Sequence, residues 1–468
     1  MKVLVTIANH GTKNIGYVNT LLNEYRSMPF VTDLVVLSNI PKDLGSDVEV
    51  FVGCPTKDPW SLPFGHRQLF ADRVSDYDLF IYSEDDTLIT ERNIRAFLGT
   101  VETLPRDEIA GFIRYELDGL GKRYYSTIHS HFHWIPESVK SAGPYTFARF
   151  TNDHSACYML TRDQLKTAIA SGGFVVEPHN EKYDLLVTAA TDPYTQCGFT
   201  KVICVSHLEE FCLHHLPNQY IGKMGLSDTD LSLQLDALMS IASSGRPPNE
   251  LFIGDTRLKQ GHWSKSYYEH DGKDLIRLVP PKAKNTLSIG CGWGAIEAML
   301  IDQGVRVAGV PLDSVIGACA AARGVEITPP DFEKALEMLA GRAFDCVLFK
   351  NVLEHLRDPV SILSRYGKLL VPDGVILINV PNFNQIKVWR DLMCGEITWQ
   401  QRRDFDESRL NFTTGGMVKR WVKESGIEIM KVVYHYEDRY LKLSKFLAGL
   451  CEGLLASKMT IVGKKVER

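Results

Sequence analysis

The stretch Leu287-Ser288-Ile289-Gly290-Cys291-Gly292-Trp293-Gly294 decides the fold of the second half of this 468-residue chain. Its apolar first residues predict a buried strand, and the three alternating glycines predict a tight turn into a helix. Glycines at such a turn let a ligand approach the backbone closely at the start of the helix. Taken alone, the pattern fits a dinucleotide, S-adenosylmethionine (SAM) or a plain strand–helix turn.

Two segments downstream narrow these alternatives. A strand predicted at Cys346–Lys350 follows the start of Phe344–Leu348 and leads into Asn351–Pro359. A further strand is predicted at Val375–Val380, within the stretch Leu369–Asn382. Together with the glycine loop they resemble class I SAM-dependent methyltransferases, over about residues 262–468. The resemblance implies a Rossmann-like sheet of seven strands, with SAM over the carboxyl ends of the first strands.

The same resemblance implies which residues contact SAM. They are Gly290, Gly292, Gly294, Asp313, Asp331 and Tyr267. The sequence departs from the family at Ser288, where an acid usually holds the methionine end, and at Pro311, where an acid usually binds the ribose. Three alternatives stay open: Asp313 reaches the ribose, SAM binds weakly, or this half has lost activity.

A base assists methyl transfer when the acceptor is a hydroxyl group. Glu354 and His355 follow the fourth predicted strand, where the acceptor faces SAM in the family, and are the candidate catalytic residues. Histidine suits the role because its pKa lies near neutrality. The alternative is that His355 only packs the turn that follows.

The first half of the chain alternates predicted strands and helices, and one strand ends in three acids. Asp78–Ser83 predicts a buried strand, and Glu84, Asp85 and Asp86 follow it. Adjacent carboxylates repel one another, and a divalent cation such as Mn²⁺ or Mg²⁺ relieves the repulsion. The alternative is a solvated acidic turn.

The acidic strand end resembles the Asp-x-Asp motif of GT-A-type glycosyltransferases, over about residues 1–220. The resemblance implies a nucleotide sugar bound through a metal held by Glu84 and Asp86, and a carbohydrate acceptor. It also implies that one histidine after the last strand completes the metal shell; the candidates are His207, His214 and His215, and His214 is the one selected. It implies substrate contacts for Thr6, Asn9, His10, His66, Arg67, Asp85, His154 and Ser155. Asp184 or Glu181 is the candidate base, although both also fit the start of a surface helix. His129, His131 and His133 alternate, which suits an acceptor pocket, a metal site or simple packing.

We therefore predict an α/β protein of two domains. A GT-A-like domain at 1–220 and a methyltransferase domain at 261–468 are joined by a linker at 221–260. Lysine and arginine total 52 against 57 aspartates and glutamates, a net charge of −5, which argues against nucleic-acid partners. The ten cysteines include no Cys-x-x-Cys pair, and no apolar run suits a signal peptide or a membrane span. The predicted location is the cytoplasm, and the oligomeric state is left open.

The leading interpretation is a bifunctional enzyme of polysaccharide biosynthesis. Its first domain transfers a sugar to a glycan, and its second methylates a hydroxyl, plausibly of the same glycan. The alternative is a SAM-dependent methyltransferase with a non-catalytic carbohydrate-binding domain in front. A scaffold with two degenerate sites and a NAD-dependent oxidoreductase are weaker alternatives.

Overall fold

In a computed structural model the chain divides into two compact units, Met1–His129 with His133–Ser244, and Ser130–Phe132 with Gly245–Arg468. The structure describes residues 1–128, 132–223, 225–244, 251, 267–268, 272–394, 411–437, 440 and 452–465. Most of the second half of the predicted linker, together with His129 and His131, lies outside the described residues. Within them, no helix combines the length and apolar character that crossing a membrane requires.

The main sheet of the first unit has the strand order β3-β2-β1-β4-β11. Its strands are β1 (Lys2–Asn9), β2 (Val31–Ser38), β3 (Val48–Val52), β4 (Leu79–Glu84) and β11 (Cys157–Thr161). The first four are parallel, and β11 runs antiparallel to β4. The carboxyl ends of β1, β2 and β4 therefore meet at one edge, where Asn9 and Glu84 lie.

Two smaller sheets complete the first unit, with the orders β6-β12-β10-β9 and β14-β8-β7-β13-β5. Their strands are β5 (Thr87–Leu88), β6 (Glu108–Ala110), β7 (Ile113–Leu117), β8 (Arg123–Tyr125), β9 (Trp134–Ala142), β10 (Tyr145–Phe150), β12 (Thr200–Cys204), β13 (Cys212–His215) and β14 (Leu226–Ser227). Because β5 directly follows the acidic turn and pairs with β13, the turn lies between two sheets.

The helices of the first unit cover the main sheet and the strands around it. They are α1 (Ile15–Ser27), α2 (Gly65–Asp72), α3 (Glu91–Val101), α4 (Arg162–Ala170), α5 (Leu185–Thr195) and α6 (Asp228–Ser244). In α1 the buried residues Val18, Leu21, Leu22 and Tyr25 recur at helical spacing, as the sequence predicts. The strand β14 and helix α6 both fall in the segment predicted to be a linker, and both belong to the first unit.

The second unit contains a seven-stranded sheet of order β17-β16-β15-β18-β19-β21-β20. Its strands are β15 (Asn285–Cys291), β16 (Arg306–Pro311), β17 (Glu326–Ile327), β18 (Phe344–Lys350), β19 (Leu370–Pro381), β20 (Ile427–His435) and β21 (Lys458–Lys465). The strands are parallel except β21, which runs antiparallel between β19 and β20. The predicted Rossmann-like sheet of seven strands is confirmed.

Helices alternate with these strands along the chain. They are α7 (Lys273–Ile276), α8 (Ala295–Ile301), α9 (Ser314–Ala322), α10 (Phe332–Met338), α11 (Pro359–Gly367), α12 (Ile386–Met393), α13 (Gly415–Glu424) and α14 (Glu452–Leu455). Each of α9, α10 and α11 begins after an aspartate whose side chain accepts hydrogen bonds from the first-turn amides. Such caps satisfy amides that have no partner inside a helix.

A buried ion pair ties α2 to α5 in the first unit. Arg67 Nη2 lies 2.6 Å from Asp192 Oδ2, and both side chains are almost fully buried. The guanidinium also donates to the carbonyl oxygens of Thr188 and Ala189 and lies over the Phe64 ring. Removing one member of such a pair leaves the other charge buried and is strongly destabilising.

We predict that Arg67→Met lowers the free energy of unfolding of the first unit by about 3 kcal/mol, because the buried Asp192 loses its arginine and keeps the His179 imidazole and the Thr195 hydroxyl as partners. The matched control is Arg73→Met, which removes an exposed pair with Glu49 and should cost less than about 1 kcal/mol. Urea titration read by hydrogen exchange at the β1 and β4 amides checks this. Equal losses in the two variants would contradict it.

Candidate functional site

The glycine loop of the second unit is shaped by close backbone approach. Gly290 and Gly294 have φ of +72° and +86°, a region that favours glycine. A Cβ on Gly292 would lie 2.3 Å from the Tyr267 carbonyl oxygen, to which the amide of Trp293 donates at 3.1 Å. The structure therefore brings together four of the six predicted SAM contacts: the three glycines and Tyr267.

Asp313 lies just beyond the end of β16, next to this loop. Its Oδ1 accepts from the amides of Val315 and Ile316, each at 2.8 Å, so it caps α9. Burial raises the pKa of Asp313 to about 6, and hydrogen bonds from the cap and from Tyr267 oppose the shift. The carboxyl is thus buried at the carboxyl edge of the sheet, beside Tyr267.

Asp331 is the N-cap of α10, where its Oδ1 accepts from the amides of Glu333 and Lys334. It follows β17, the edge strand next to β16. A capping role accounts for this aspartate without a ligand, and its Oδ2 lies 3.9 Å from Lys334 Nζ.

Ser288 occupies the position where the resembled family has an acid. Its hydroxyl donates to Glu297 Oε1 at 2.6 Å, and both side chains are buried. Glu297 is in the first turn of α8, nine residues later in the chain. The sequence analysis did not select Glu297, because a glutamate in a helix ordinarily faces solvent.

Asn351 follows β18 and was also not selected as a site residue. It adopts a positive φ of +50°, is buried, and its Oδ1 has no hydrogen-bond partner. A strained asparagine at the end of a buried strand is an indication of a ligand site. Glu354 and His355 follow it in a short 3₁₀ turn and are fully buried.

In the first unit, the acidic turn forms a half-buried polar cluster at the carboxyl edge of the main sheet. Asp85 accepts hydrogen bonds from the side-chain amides of Asn9, at 2.5 Å, and Asn14, at 2.8 Å. Lys42 donates to the backbone and side-chain oxygens of Asn9. Burial raises the pKa of Glu84 to about 7, although Arg114 opposes the shift.

His215 lies between two carboxylates of this cluster. Its Nδ1 is 2.6 Å from Glu116 Oε1, and its Nε2 is 3.4 Å from Asp86 Oδ2. Glu116 is fully buried and also accepts from the amide of Tyr220, whose ring stacks on the imidazole. The imidazole is thus held with Nε2 toward Asp86.

The structure corrects the prediction that His214 joins Glu84 and Asp86. His214 Nε2 bonds to Asn218 Oδ1 at 3.1 Å, and its ring stacks on Tyr115. Successive residues of β13 point to opposite faces, so only its neighbour His215 reaches Asp86. Among the described residues, no group of three or more His, Cys, Asp or Glu side chains is arranged to hold a metal ion.

Three other expected substrate contacts are also corrected. Thr6 lies within β1 and is fully buried, because the strand continues to Asn9. His66 is fully buried, bonded to Pro63 and Tyr158 and stacked on Tyr82, and burial lowers its pKa well below the usual value. Arg67 is buried in an ion pair with Asp192 and does not present its guanidinium to a substrate. His10, by contrast, is exposed just after β1.

The loop before β11 lies directly beside the acidic turn. Ala156, with a positive φ of +59°, accepts a hydrogen bond from the amide of Glu84 at 2.9 Å. Lys201 contacts the same loop: it donates to the Asp153 backbone carbonyl and to the Ser155 hydroxyl. Burial lowers the pKa of this lysine to about 8. His154 and Ser155, two of the predicted substrate contacts, therefore lie in the loop next to the cluster.

The two candidate bases of the first unit have ordinary structural roles. Asp184 is the exposed N-cap of α5, where its Oδ1 accepts from the amide of Val187 at 3.0 Å. Glu181 is exposed and accepts from the side chain of Gln196 at 2.5 Å. Asp184 therefore fits the alternative interpretation, in which it stands at the start of a surface helix. His133 is buried, with its amide donating to Thr151 Oγ1.

The second unit matches a known family in part. A family described as "Methionine biosynthesis protein MetW" matches residues 269–411. A ubiquinone biosynthesis O-methyltransferase of Dinoroseobacter shibae is 28% identical over 165 residues, 34% of this chain and 65% of that protein. One from Histophilus somni is 26% identical over 203 residues, 37% of this chain and 83% of that protein. The chain thus spans just under two thirds of the Dinoroseobacter relative.

Two solved structures are similar over part of the chain. A SAM-dependent methyltransferase from Archaeoglobus fulgidus has a TM-score of 0.33 and 16% identity, covering 41% of this chain and 92% of that one. An N-methyltransferase from Bradyrhizobium japonicum, solved with S-adenosyl-L-homocysteine, has a TM-score of 0.29 and 16% identity, covering 42% and 85%. At these TM-scores the similarity adds nothing to the fold described above. The methyltransferase resemblance is supported by the sequence relatives, and none of the proteins named here is a glycosyltransferase.

We predict that Gly292→Ala destabilises the second unit by about 1–3 kcal/mol, because the new Cβ would meet a backbone oxygen that cannot rotate away. The control is Gly416→Ala in α13, where a Cβ would meet nothing within 4 Å. Urea titration monitored by hydrogen exchange at the β15 amides measures both. A Gly292→Ala variant as stable as the control would contradict the prediction.

Proposed function

We propose that the second unit transfers a methyl group from SAM to a hydroxyl group. The observation that carries the proposal is the glycine loop, which lies at the carboxyl end of β15, between β16 and β18 in the seven-stranded sheet, and within the stretch that the family model matches. The names of the two relatives described above, both O-methyltransferases, support an oxygen acceptor.

The residues around the loop fit the cofactor. Gly292 leaves room that a side chain would fill, and Asp313 presents a buried carboxyl two residues beyond β16. The side-chain amide oxygen of Asn351, Oδ1, is buried and has no hydrogen-bond partner. Bound SAM supplies an electrophilic methyl group. Asp313 would accept hydrogen bonds from the ribose hydroxyls, and Asp331 would contact the adenine.

Glu354 or His355 is the proposed base, since both follow β18 and are buried. Either group would accept the proton of the acceptor hydroxyl as the oxygen attacks. Their burial excludes water from the proton transfer.

Isothermal titration with SAM and with S-adenosylhomocysteine tests the cofactor. Transfer of radiolabelled methyl groups to a panel of phenols, quinols and sugars then tests the acceptor. Absence of binding to either cofactor form would overturn the methyltransferase proposal. Labelling of sugars alone would favour the glycan acceptor over a quinol.

The pH dependence of SAM binding follows from Asp313. Since its pKa is about 6 in the folded protein, the carboxyl is ionised above pH 6 and protonated below it. We expect the affinity for SAM to fall about tenfold between pH 7.5 and pH 5, as the ribose loses an anionic acceptor. In Asp313→Asn this decline should disappear, because the amide does not titrate. An unchanged decline in the variant would assign the titration to another group.

We propose glycosyl transfer from a nucleotide sugar as the function of the first unit. The observation that favours it is the Asp86–His215 pair beside the acidic turn, at the carboxyl edge of a parallel sheet. A carboxylate and an imidazole are two ligands suited to Mn²⁺, and diphosphate oxygens and water would complete the shell. Asn9, His10, Asp85, His154 and Ser155 remain the substrate contacts proposed here, with Glu84 beside the metal and Asp184 or Glu181 as the base.

With both sites active, the chain would be a bifunctional enzyme acting on one glycan, and β14 and α6 extend its first domain beyond the predicted boundary at residue 220. Titration with UDP, GDP and dTDP, each with Mn²⁺, tests the first site. Binding of a free glycan without any nucleotide binding would instead support the alternative, a methyltransferase with a carbohydrate-binding domain.

Glu116 provides a sharper test, because it fixes the orientation of His215. We predict that Glu116→Gln weakens Mn²⁺ binding at least about tenfold, as expected when the partner of a metal-binding histidine is changed. Glutamine can accept from His215, yet its amide nitrogen cannot also accept from Tyr220. The control is Glu49→Gln on β3, an exposed partner of Arg73. Electron paramagnetic resonance of free Mn²⁺ measures both affinities, and equal values would argue against a metal at His215.

A further inference from the structure

Glu297 is a buried carboxylate at the glycine loop of the second unit. Its residue is 5% exposed, and its Oε1 accepts the hydrogen bond from the Ser288 hydroxyl at 2.6 Å. Ser288 precedes Gly290 by two residues on β15, and Glu297 follows Gly294 in α8. Ser288 and Glu297 therefore lie on either side of the glycine loop in the sequence, and their hydrogen bond joins the strand before the loop to the helix after it.

Glu297 has no cationic partner in the described part of the chain. None of the ion pairs between described residues includes it, whereas the buried acids Asp192, Asp153 and Glu116 pair with an arginine, a lysine and a histidine. A buried carboxylate with one hydroxyl partner is costly unless a positive group arrives to pair with it. The site thus has the chemistry of a receptor for a small cation-bearing ligand.

We propose that Glu297 binds the α-ammonium group of the methionine part of SAM. This inference rests on the methyltransferase function proposed above, which places SAM over the same loop. The ammonium group carries N–H donors that a carboxylate can accept, whereas the sulfonium centre carries none. Ser288 then acts as a positioning residue, because its hydroxyl orients the carboxylate.

This assignment accounts for the serine at position 288. In this chain the negative charge does not come from the strand; it comes from a helix residue nine positions later, and the serine links the two. The total charge at the loop is the same as if an acid stood on the strand.

The experiment compares two ligands that differ only in the amino-acid part. S-adenosylhomocysteine carries the α-ammonium, and 5′-methylthioadenosine lacks it. We expect Glu297→Gln to weaken binding of the first by about 10- to 100-fold, the range for loss of a charged hydrogen bond. Binding of the second should stay within about twofold of the unsubstituted protein. The control, Glu428→Gln, removes an exposed partner of Lys464 and should change neither affinity.

A charge relocation gives an independent test. The double variant Ser288→Asp, Glu297→Gln moves the carboxylate from the helix to the strand, and we expect it to regain at least tenfold in affinity for S-adenosylhomocysteine over Glu297→Gln alone. Equal weakening of both ligands in Glu297→Gln would show a structural role and overturn the inference, as would unchanged binding of both. If the unsubstituted protein binds neither ligand, the methyltransferase proposal itself fails.

Discussion

Parallel strand pairing is the constraint on which both candidate sites depend. Parallel strands end at the same edge, so residues that are distant in sequence come together there. In the first unit this edge gathers Asn9 from β1 and the acids that follow β4. In the second it gathers the glycine loop after β15, Asp313 after β16 and Asn351 after β18. Each site is therefore a consequence of topology before it is one of side-chain chemistry.

Buried charged side chains with a structural role differ from candidate functional ones in how completely they are paired. Arg67 and Asp192 neutralise each other, Arg67 also donates to nearby backbone carbonyls, and Asp192 accepts from the Thr195 hydroxyl, so the pair holds two helices together. Glu84 and Glu297 are compensated less completely. Loss of solvent contact raises the pKa of the half-buried Glu84 to about 7 although Arg114 opposes the shift, and the buried Glu297 has one hydroxyl donor. Incomplete pairing in a folded interior is tolerated where a ligand completes it.

Local sequence patterns predicted the strands, the glycine loop and the acidic turn, because each depends on a few consecutive residues. The prediction failed where the outcome depends on tertiary packing. Arg67 was interpreted as a phosphate contact because nothing local reveals that Asp192, far along the chain, meets it in the core. His214 and His215 differ only in which face of β13 they take, and that depends on strand register. Glu297 was missed because its burial depends on Ser288 across the loop.

The position of β21 has a consequence for synthesis of the protein. This strand, Lys458–Lys465, pairs on one side with β19 and on the other with β20, although both are made before it. Until the ribosome has released residue 465, β19 and β20 each present an unpaired edge, and such edges favour aggregation. Every described strand of the first unit, by contrast, ends more than 200 residues before β21 begins. Completion of the second sheet thus has to wait for synthesis of β21, and chaperone protection would matter most during that interval.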